Sequence, residues 1–197
     1  MARRPAYVYQ PLNNEEQEIR LLLLGSGEYD DPLQAGLVTV SIRRPHSYHT
    51  ISYVWGDPRR DSNIYISGTR LAVPTNTALA LRRVRLQRET HVVWIDAVCI
   101  NQHDVNERSK QVGLMGMIYH RSSGNLVHLT DDHSMARRIV QMTQQVDEEA
   151  RAETNNYTGM RTLLYTATWE RRRSLRPTRK DLDIEALQFL LRLPWFR

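Results

Sequence analysis

The sequence of 197 residues predicts an α/β fold, and three observations support that prediction. Residues 18–73 contain short apolar or alternating runs separated by turn residues, which is the pattern of β-strands. Residues 91–100, HVVWIDAVCI, form a nearly continuous apolar run, which is typical of a strand covered on both faces in a parallel sheet. Helical patterns at 74–88 and 105–121 alternate with the strands, as in βαβ units.

Four apolar segments in the first third predict β-structure. They are EIRLLLLGSG at 18–27, GLVTVSI at 36–42, HTISYVW at 49–55 and NIYISGTRLAV at 63–73. Gly-Ser-Gly closes the first segment, and a turn containing Pro45 precedes the third. The fourth segment predicts a hairpin with Ser67 and Gly68 at its turn. These segments are expected to add N-terminal strands and a hairpin to a parallel sheet flanked by helices.

Two helices and a further strand are predicted next. Residues 74–88 begin with Pro, Thr and Asn, which are common at helix starts. The helix at 105–121 is expected to bury one face, made of Val112, Met115, Ile118 and Tyr119. Gly124 ends this helix, and NLVHL at 125–129 predicts a strand.

We interpret the chain as one domain, 1–197, with its core at 18–132 and a less regular segment at 133–197. That segment predicts a helix at 134–153, a solvated loop at 170–180 and a helical period at 182–197 that is interrupted by Pro194. No internal repeat is visible.

Composition narrows the functional classes. The net charge is +5, but the basic residues are spread along the chain and no base-stacking or groove-reading motif accompanies them, which disfavours a nucleic-acid partner. Cys99 is the only cysteine, and no histidine lies at metal-ligand spacing, so the sequence predicts neither a disulfide nor a metal site. No apolar run is long enough for a membrane helix, and the start lacks a secretory signal, so cytoplasmic localisation is expected.

Polar residues follow the predicted parallel strands at the ends where such sheets place their ligands. These ends are GDP at 56–58, CINQ at 99–102 and TDD at 130–132. Before the first of them stand two large rings, Tyr53 and Trp55. Gly56 and Asp57 then leave backbone and a carboxylate facing open space.

The stretch WIDAVCINQHDVNER, 94–108, is the densest polar segment. Asp96 lies within an apolar run, where an unpaired carboxylate is costly, so it either lies at the exposed strand end or is satisfied by Arg or backbone donors. Asn101 and Gln102 follow, and they offer hydrogen-bonding groups for a nucleotide or ribose. The alternative interpretation of these two residues is an ordinary turn.

Asp104 and Glu107 favour a structural role over a ligand-binding one. Asp104 is a good N-cap for the second helix, and Glu107 follows three residues later, as in a capping box. The neighbouring Arg108 is available to pair with Asp96 or Asp57.

Several of these blocks, in order and spacing, resemble the fungal heterokaryon incompatibility (HET) domain. They are YVYQPLNNEEQEIRLLLL, YHTISYVWGDP, ISGTRLAVPTNTALALRRVR, VVWIDAVCINQHDVNERSKQVGLMGMIY and the closing LPWFR. The resemblance covers residues 7–130 and resumes at 193–197. It implies a role in fungal non-self recognition leading to programmed cell death, as the effector part of a larger receptor-like protein. The implied partners are other receptor or death-effector proteins, or further copies of the chain.

The HET family is similar in fold to TIR domains, some of which cleave the nicotinamide–ribose bond of NAD. The resemblance therefore implies that NAD is a substrate or a ligand, with no other cofactor. On this overlay Tyr53, Trp55, Gly56 and Asp57 line the mouth of a pocket. Asp96, Asn101 and Gln102 join Asp57 in orienting the ribose and pyrophosphate.

The resemblance assigns no catalytic residue in this sequence. The glutamate of the TIR enzymes corresponds to a Trp-x-x-Gln-Glu segment that follows LPWFR in the HET pattern, so we expect it beyond Arg197, with the domain truncated at that end. Two hypotheses stay open, an NAD glycohydrolase and a non-catalytic module that acts by self-association and partner recruitment.

Overall fold

A computed structural model describes residues 6–44, 46–128 and 133–153, together with Asp183, Glu185, Ala186 and Gln188. The chain divides into two compact units, Met1–His128 and Leu129–Arg197, close to the predicted change of pattern at residue 133. The predictions for Pro45, for 130–132, for the loop at 170–180 and for the closing 193–197 lie outside the described residues.

The first unit contains seven strands and three helices within its described residues. In chain order they are β1 (Glu18–Leu24), β2 (Gln34–Ser41), β3 (His49–Tyr53), β4 (Ser62–Ile66), β5 (Thr69–Val73), α1 (Thr75–Val84), β6 (His91–Trp94), α2 (Asp96–Cys99), α3 (Val105–Arg121) and β7 (Gly124–His128). The predicted α/β class is confirmed.

All seven strands form one mixed sheet in the order β5-β4-β2-β1-β6-β3-β7. The segment β6-β3-β7 is parallel, and β1 joins it by pairing antiparallel with both β6 and β2. The N-terminal strands therefore extend the parallel segment instead of forming a separate layer. Because β3, β6 and β7 point the same way, their carboxyl ends meet at one edge of the sheet.

The hairpin between β4 and β5 has the predicted turn. Ser67 and Gly68 both have positive φ, at 48° and 81°, as a two-residue turn that matches the twist of a hairpin requires. Five residue pairs, from Ser62 with Val73 to Ile66 with Thr69, join the two strands.

The core of the first unit is centred on β1, the middle strand of the sheet. Its side chains Ile19, Leu21, Leu22 and Leu24 are each at most 2% exposed, and Trp94 at the end of β6 is fully buried. The predicted strand at 91–100 is too long. It ends at Trp94, and α2 follows, with the Cys99 N–H donating to the Ile95 carbonyl. Residues 97–99 are buried within this helical turn. The apolar run alone therefore did not distinguish a buried strand from a short buried helix.

Helix α3 has the predicted bounds but a different buried face. Ile118 is buried and Met115 and Tyr119 pack against the core, as predicted, but Val112 is 55% exposed. Gln111 is buried instead, and its Nε2 donates to the Glu18 carbonyl at 2.8 Å. A polar side chain occupies this core position because it satisfies a backbone group of β1.

The second unit contains α4 (His133–Glu153), which agrees with the predicted helix at 134–153. Ile139 and Met142 of α4 are buried. Arg138 pairs with Asp183 at 2.6 Å and with Glu185 at 2.9 Å. Within the described part of the chain, no helix combines the length and the apolar character needed to span a bilayer.

Candidate functional site

The site is built on the edge of the sheet where β3 and β6 end. Residues 54–57 follow β3, and α2 begins two residues after Trp94, the last residue of β6. The first residues of α1 border the same edge through side chains that contact the end of β3. The carboxyl end of β7 leads into 129–132, outside the described residues.

Trp55 and Asp96 are the two site residues joined most directly. The indole Nε1 of Trp55 donates to Asp96 Oδ2 at 2.9 Å, and the Ala97 N–H donates to Oδ1 at 2.7 Å. Trp55 is 40% exposed, so part of its ring faces solvent. Burial raises the pKa of the Asp96 carboxyl, and hydrogen bonds from Trp55, Ala97 and Tyr53 oppose that rise. Asp96 is thus a partly buried acceptor at the strand end.

Tyr53 lies beneath this pair as the last residue of β3. It is 7% exposed, and its hydroxyl lies 2.9 Å from Thr77 Oγ1 in the first turn of α1. Burial and the neighbouring Asp96 charge raise the pKa of Tyr53. Tyr53 therefore stays neutral and supports the carboxylate from the core side, so it is not a wall of an open pocket.

Gly56 gives the loop its sharp turn. Its φ is +63°, a left-handed conformation that glycine adopts without strain. A Cβ added at this position would overlap the Asn76 side-chain amide. Asn76 Nδ2 in turn donates to the Val54 carbonyl at 2.9 Å. The glycine therefore lets α1 hold the loop closely, directly beside Trp55.

Both carboxylate oxygens of Asp57 are bonded within its own loop, to Arg59. Its Oδ1 accepts from the Arg59 N–H at 2.9 Å, and its Oδ2 accepts from Arg59 Nε at 2.8 Å. The Asp57 side chain is 54% exposed, and Arg59 lowers the pKa of its carboxyl. The resemblance implied that Asp57 and Asp96 orient the ligand together. In the structure the Asp57 carboxylate is instead bonded to Arg59 of the same loop.

Gln102 reaches the site, and the Asn101 side chain forms a turn. Gln102 Nε2 donates to the Asp96 backbone carbonyl at 2.9 Å. Asn101 Oδ1 accepts from the His103 N–H at 3.2 Å, which is the ordinary turn that the sequence left open. The two adjacent residues thus take different roles.

At the start of α3 the N-cap forms as predicted, but the return bond of the capping box does not. Asp104 Oδ1 accepts from the Glu107 N–H at 3.0 Å, so Asp104 is the N-cap. The Glu107 carboxylate does not return to the Asp104 N–H, which bonds to the Asn101 carbonyl instead. The reciprocal half of the predicted capping box is therefore absent.

Glu107 instead pairs with Arg20 of β1. Arg20 Nη1 lies 2.6 Å from Glu107 Oε1, and Nη2 lies 3.0 Å from Oε2. The Cys99 and Gln10 carbonyls accept further bonds from the guanidinium, and the Asn101 N–H donates to Glu107 Oε1 at 2.7 Å. The side chains of Arg20 and Glu107 are only 2% and 9% exposed. Arg20 was not among the predicted site residues, and its only signal in the sequence is a charge within an apolar strand.

A second cross-link joins the loop after β3 to the loop after α2. Arg60 Nη1 lies 2.9 Å from His103 Nε2. Arg108, which was available for Asp57 or Asp96, instead donates to the Gln102 carbonyl at 3.5 Å, so those two pairings are wrong. Neither Arg60 nor His103 was among the predicted site residues.

The remaining chemistry of the site is limited. Cys99 is fully buried, and burial raises its pKa to about 12, so it is not a thiolate nucleophile at neutral pH. No group of three or more His, Cys, Asp or Glu side chains suited to a metal occurs among the described residues. The arrangement offers the partly exposed indole of Trp55 and the partly buried carboxylate of Asp96. The loop after β3 also carries two arginines, Arg59 and Arg60.

Comparison with known proteins found one matching family model and a related curated protein. A family model described as heterokaryon incompatibility protein (HET) matches residues 48–197. The heterokaryon incompatibility protein 6, OR allele, of Neurospora crassa is 34% identical over 152 residues, which cover 70% of this chain and 22% of that protein. The chain thus spans about a fifth of the length of this relative. No solved structure matches the chain.

Proposed function

The chain belongs to the heterokaryon incompatibility (HET) family, and from that premise we propose that it acts in fungal non-self recognition as an effector of programmed cell death. The relative from Neurospora crassa carries heterokaryon incompatibility in its name and supports this role. The proposal places the protein in the cytoplasm, where it works with other receptor or death-effector proteins.

At the molecular level we propose that the strand-end site binds NAD as the substrate of a TIR-like hydrolysis. The observation that carries this proposal is the hydrogen bond between Trp55 and Asp96 at the carboxyl ends of β3 and β6. The half-exposed indole offers a face for a nicotinamide or adenine ring. The Asp96 carboxylate offers an acceptor for ribose hydroxyls, and Gln102 holds the backbone of Asp96 in place.

Incubation of the chain with NAD, followed by detection of released nicotinamide and by calorimetry, tests this activity. Asp96→Asn is expected to weaken NAD binding at least tenfold, because the amide replaces one acceptor oxygen with a donor. Asp57→Asn is the matched control, since the Asp57 carboxylate is held by Arg59. Equal losses in both variants, or no binding at millimolar NAD, would contradict the proposal.

A second function, self-association without chemistry, is favoured by the outer face of α3. Val105 and Val112 lie on the same side of the helix and are 65% and 55% exposed, and Gly116 leaves open space on that side. Exposed apolar side chains on one helix are typical of a contact surface. Light scattering over a range of concentrations is expected to show oligomers that Val112→Ser weakens. A strict monomer at the highest concentration would count against this function.

A further inference from the structure

The Arg60–His103 contact joins the loop that carries Trp55 to the loop that follows α2, the helix that Asp96 begins. Arg60 lies five residues after Trp55, and His103 lies seven residues after Asp96. An arginine side chain only donates hydrogen bonds, so His103 Nε2 is the acceptor in this contact. Gln102, the neighbour of His103, donates to the Asp96 backbone carbonyl, so the loop after α2 contacts both Arg60 and Asp96.

Arg60 differs from its neighbour Arg59 in its available charge. Arg59 is paired with Asp57 at 2.8 Å and lies 3.9 Å from Asp61. Among the residues that the structure describes, no carboxylate forms an ion pair with Arg60. A guanidinium without a carboxylate partner can form charge-assisted hydrogen bonds with an anionic ligand.

The charge of Arg60 also acts on Tyr9, a residue bonded to α2. Burial raises the pKa of Tyr9, and the charge of Arg60 is near enough to oppose that rise. The Tyr9 hydroxyl donates to the Val98 carbonyl of α2 at 2.8 Å. Arg60 therefore lies within electrostatic range of a side chain that contacts α2.

We infer that Arg60 and His103 form a phosphate subsite next to the Trp55–Asp96 pair, so that the ligand is a nucleotide and not a nucleoside. This inference rests on the proposed function. The guanidinium donates two parallel N–H groups to phosphate oxygens. His103 gives up its bond from Arg60 and donates to the phosphate from Nε2 in its other tautomer. The Asp96 carboxylate accepts hydrogen bonds from the ribose hydroxyls, because a carboxylate does not bind a phosphate of like charge.

Calorimetric titration of the 197-residue chain with nicotinamide mononucleotide and nicotinamide riboside tests the subsite, because the two ligands differ only in a phosphate. The nucleotide is expected to bind about ten- to a hundredfold more tightly. Arg60→Gln is expected to remove most of that difference, and His103→Gln part of it. Arg59→Gln, which makes the same change in net charge on the same loop, is expected to preserve it.

The outcomes separate this inference from the proposed function. Equal affinity for the two ligands would overturn the phosphate subsite and leave NAD recognition through Trp55 and Asp96 standing. Equal losses in Arg59→Gln and Arg60→Gln would also overturn it, since general charge would then explain the preference. If nicotinamide mononucleotide, the riboside and NAD all fail to bind, the subsite and the proposed function fall together.

Discussion

Arg20 and Glu107 form a buried, two-pronged ion pair between the central strand β1 and the first turn of α3, with their nitrogen and oxygen atoms 2.6 and 3.0 Å apart. The same two side chains bind the backbone of Cys99 and Asn101. This pair therefore fixes the segment between α2 and α3, from which Gln102 reaches Asp96.

Removal of one member of this pair is expected to be strongly destabilising. Glu107→Ala leaves the Arg20 guanidinium buried without its counter-charge, which should lower the free energy of unfolding by about 3–5 kcal/mol. Denaturant unfolding at neutral pH measures the change. The double variant Arg20→Met, Glu107→Leu is expected to recover much of the loss, and a double variant as unstable as Glu107→Ala would contradict this account.

Trp55→Phe isolates the hydrogen bond to Asp96. The indole N–H favours the charged carboxylate, so its removal should raise the pKa of Asp96 further, in the same direction as burial. Carboxyl chemical shifts followed by NMR through a pH titration report this pKa directly. An Asp96 pKa that stays unchanged or falls in the variant would show that the bond is not formed in solution.

Asp96→Asn is expected to change the pH dependence of stability. Burial raises the folded-state pKa of Asp96 above its unfolded value, so its contribution to stability is fully present below about pH 4, the ordinary value for aspartate, and is lost as pH rises through the folded pKa. The amide does not titrate. The stability of the variant relative to the wild type should therefore increase as pH rises across that window, as measured by denaturant unfolding at several pH values. A relative stability that falls with rising pH would be the wrong sign.

Gly56→Ala should destabilise the loop beside Trp55 for two reasons. Alanine at φ +63° is strained, at about 1–2 kcal/mol, and its Cβ would also overlap Asn76. Gly68→Ala is the matched control, because Gly68 has φ +81° but no neighbour within 4 Å of its Cβ position. Thermal unfolding is expected to show the larger loss for Gly56→Ala. Equal losses would mean that Asn76 moves aside freely.

Local patterns in the sequence predicted the parts of the fold that depend on local chemistry. The hairpin turn at Ser67 and Gly68 and the N-cap at Asp104 follow from residues that act within a few positions of themselves. The convergence of Trp55 and Asp96 followed from parallel strand order, since such strands end at one edge.

Long-range pairing was beyond those patterns. Arg20 and Glu107 are 87 residues apart, and only the folded topology brings them together. The buried turn of α2 has the same apolar composition as a strand, so the sequence predicted the wrong element there. Gln111 is buried because the Glu18 carbonyl needs a donor, a requirement invisible without the tertiary structure.

The indole N–H signal of Trp55, followed by ¹H–¹⁵N NMR during a titration with NAD, tests whether the Trp55–Asp96 pair binds this ligand. We expect a saturable shift of this signal that is greatly weakened in Asp96→Asn and retained in Asp57→Asn. A Trp55 signal that does not move at millimolar NAD would contradict it, as would a shift of equal size in all three proteins.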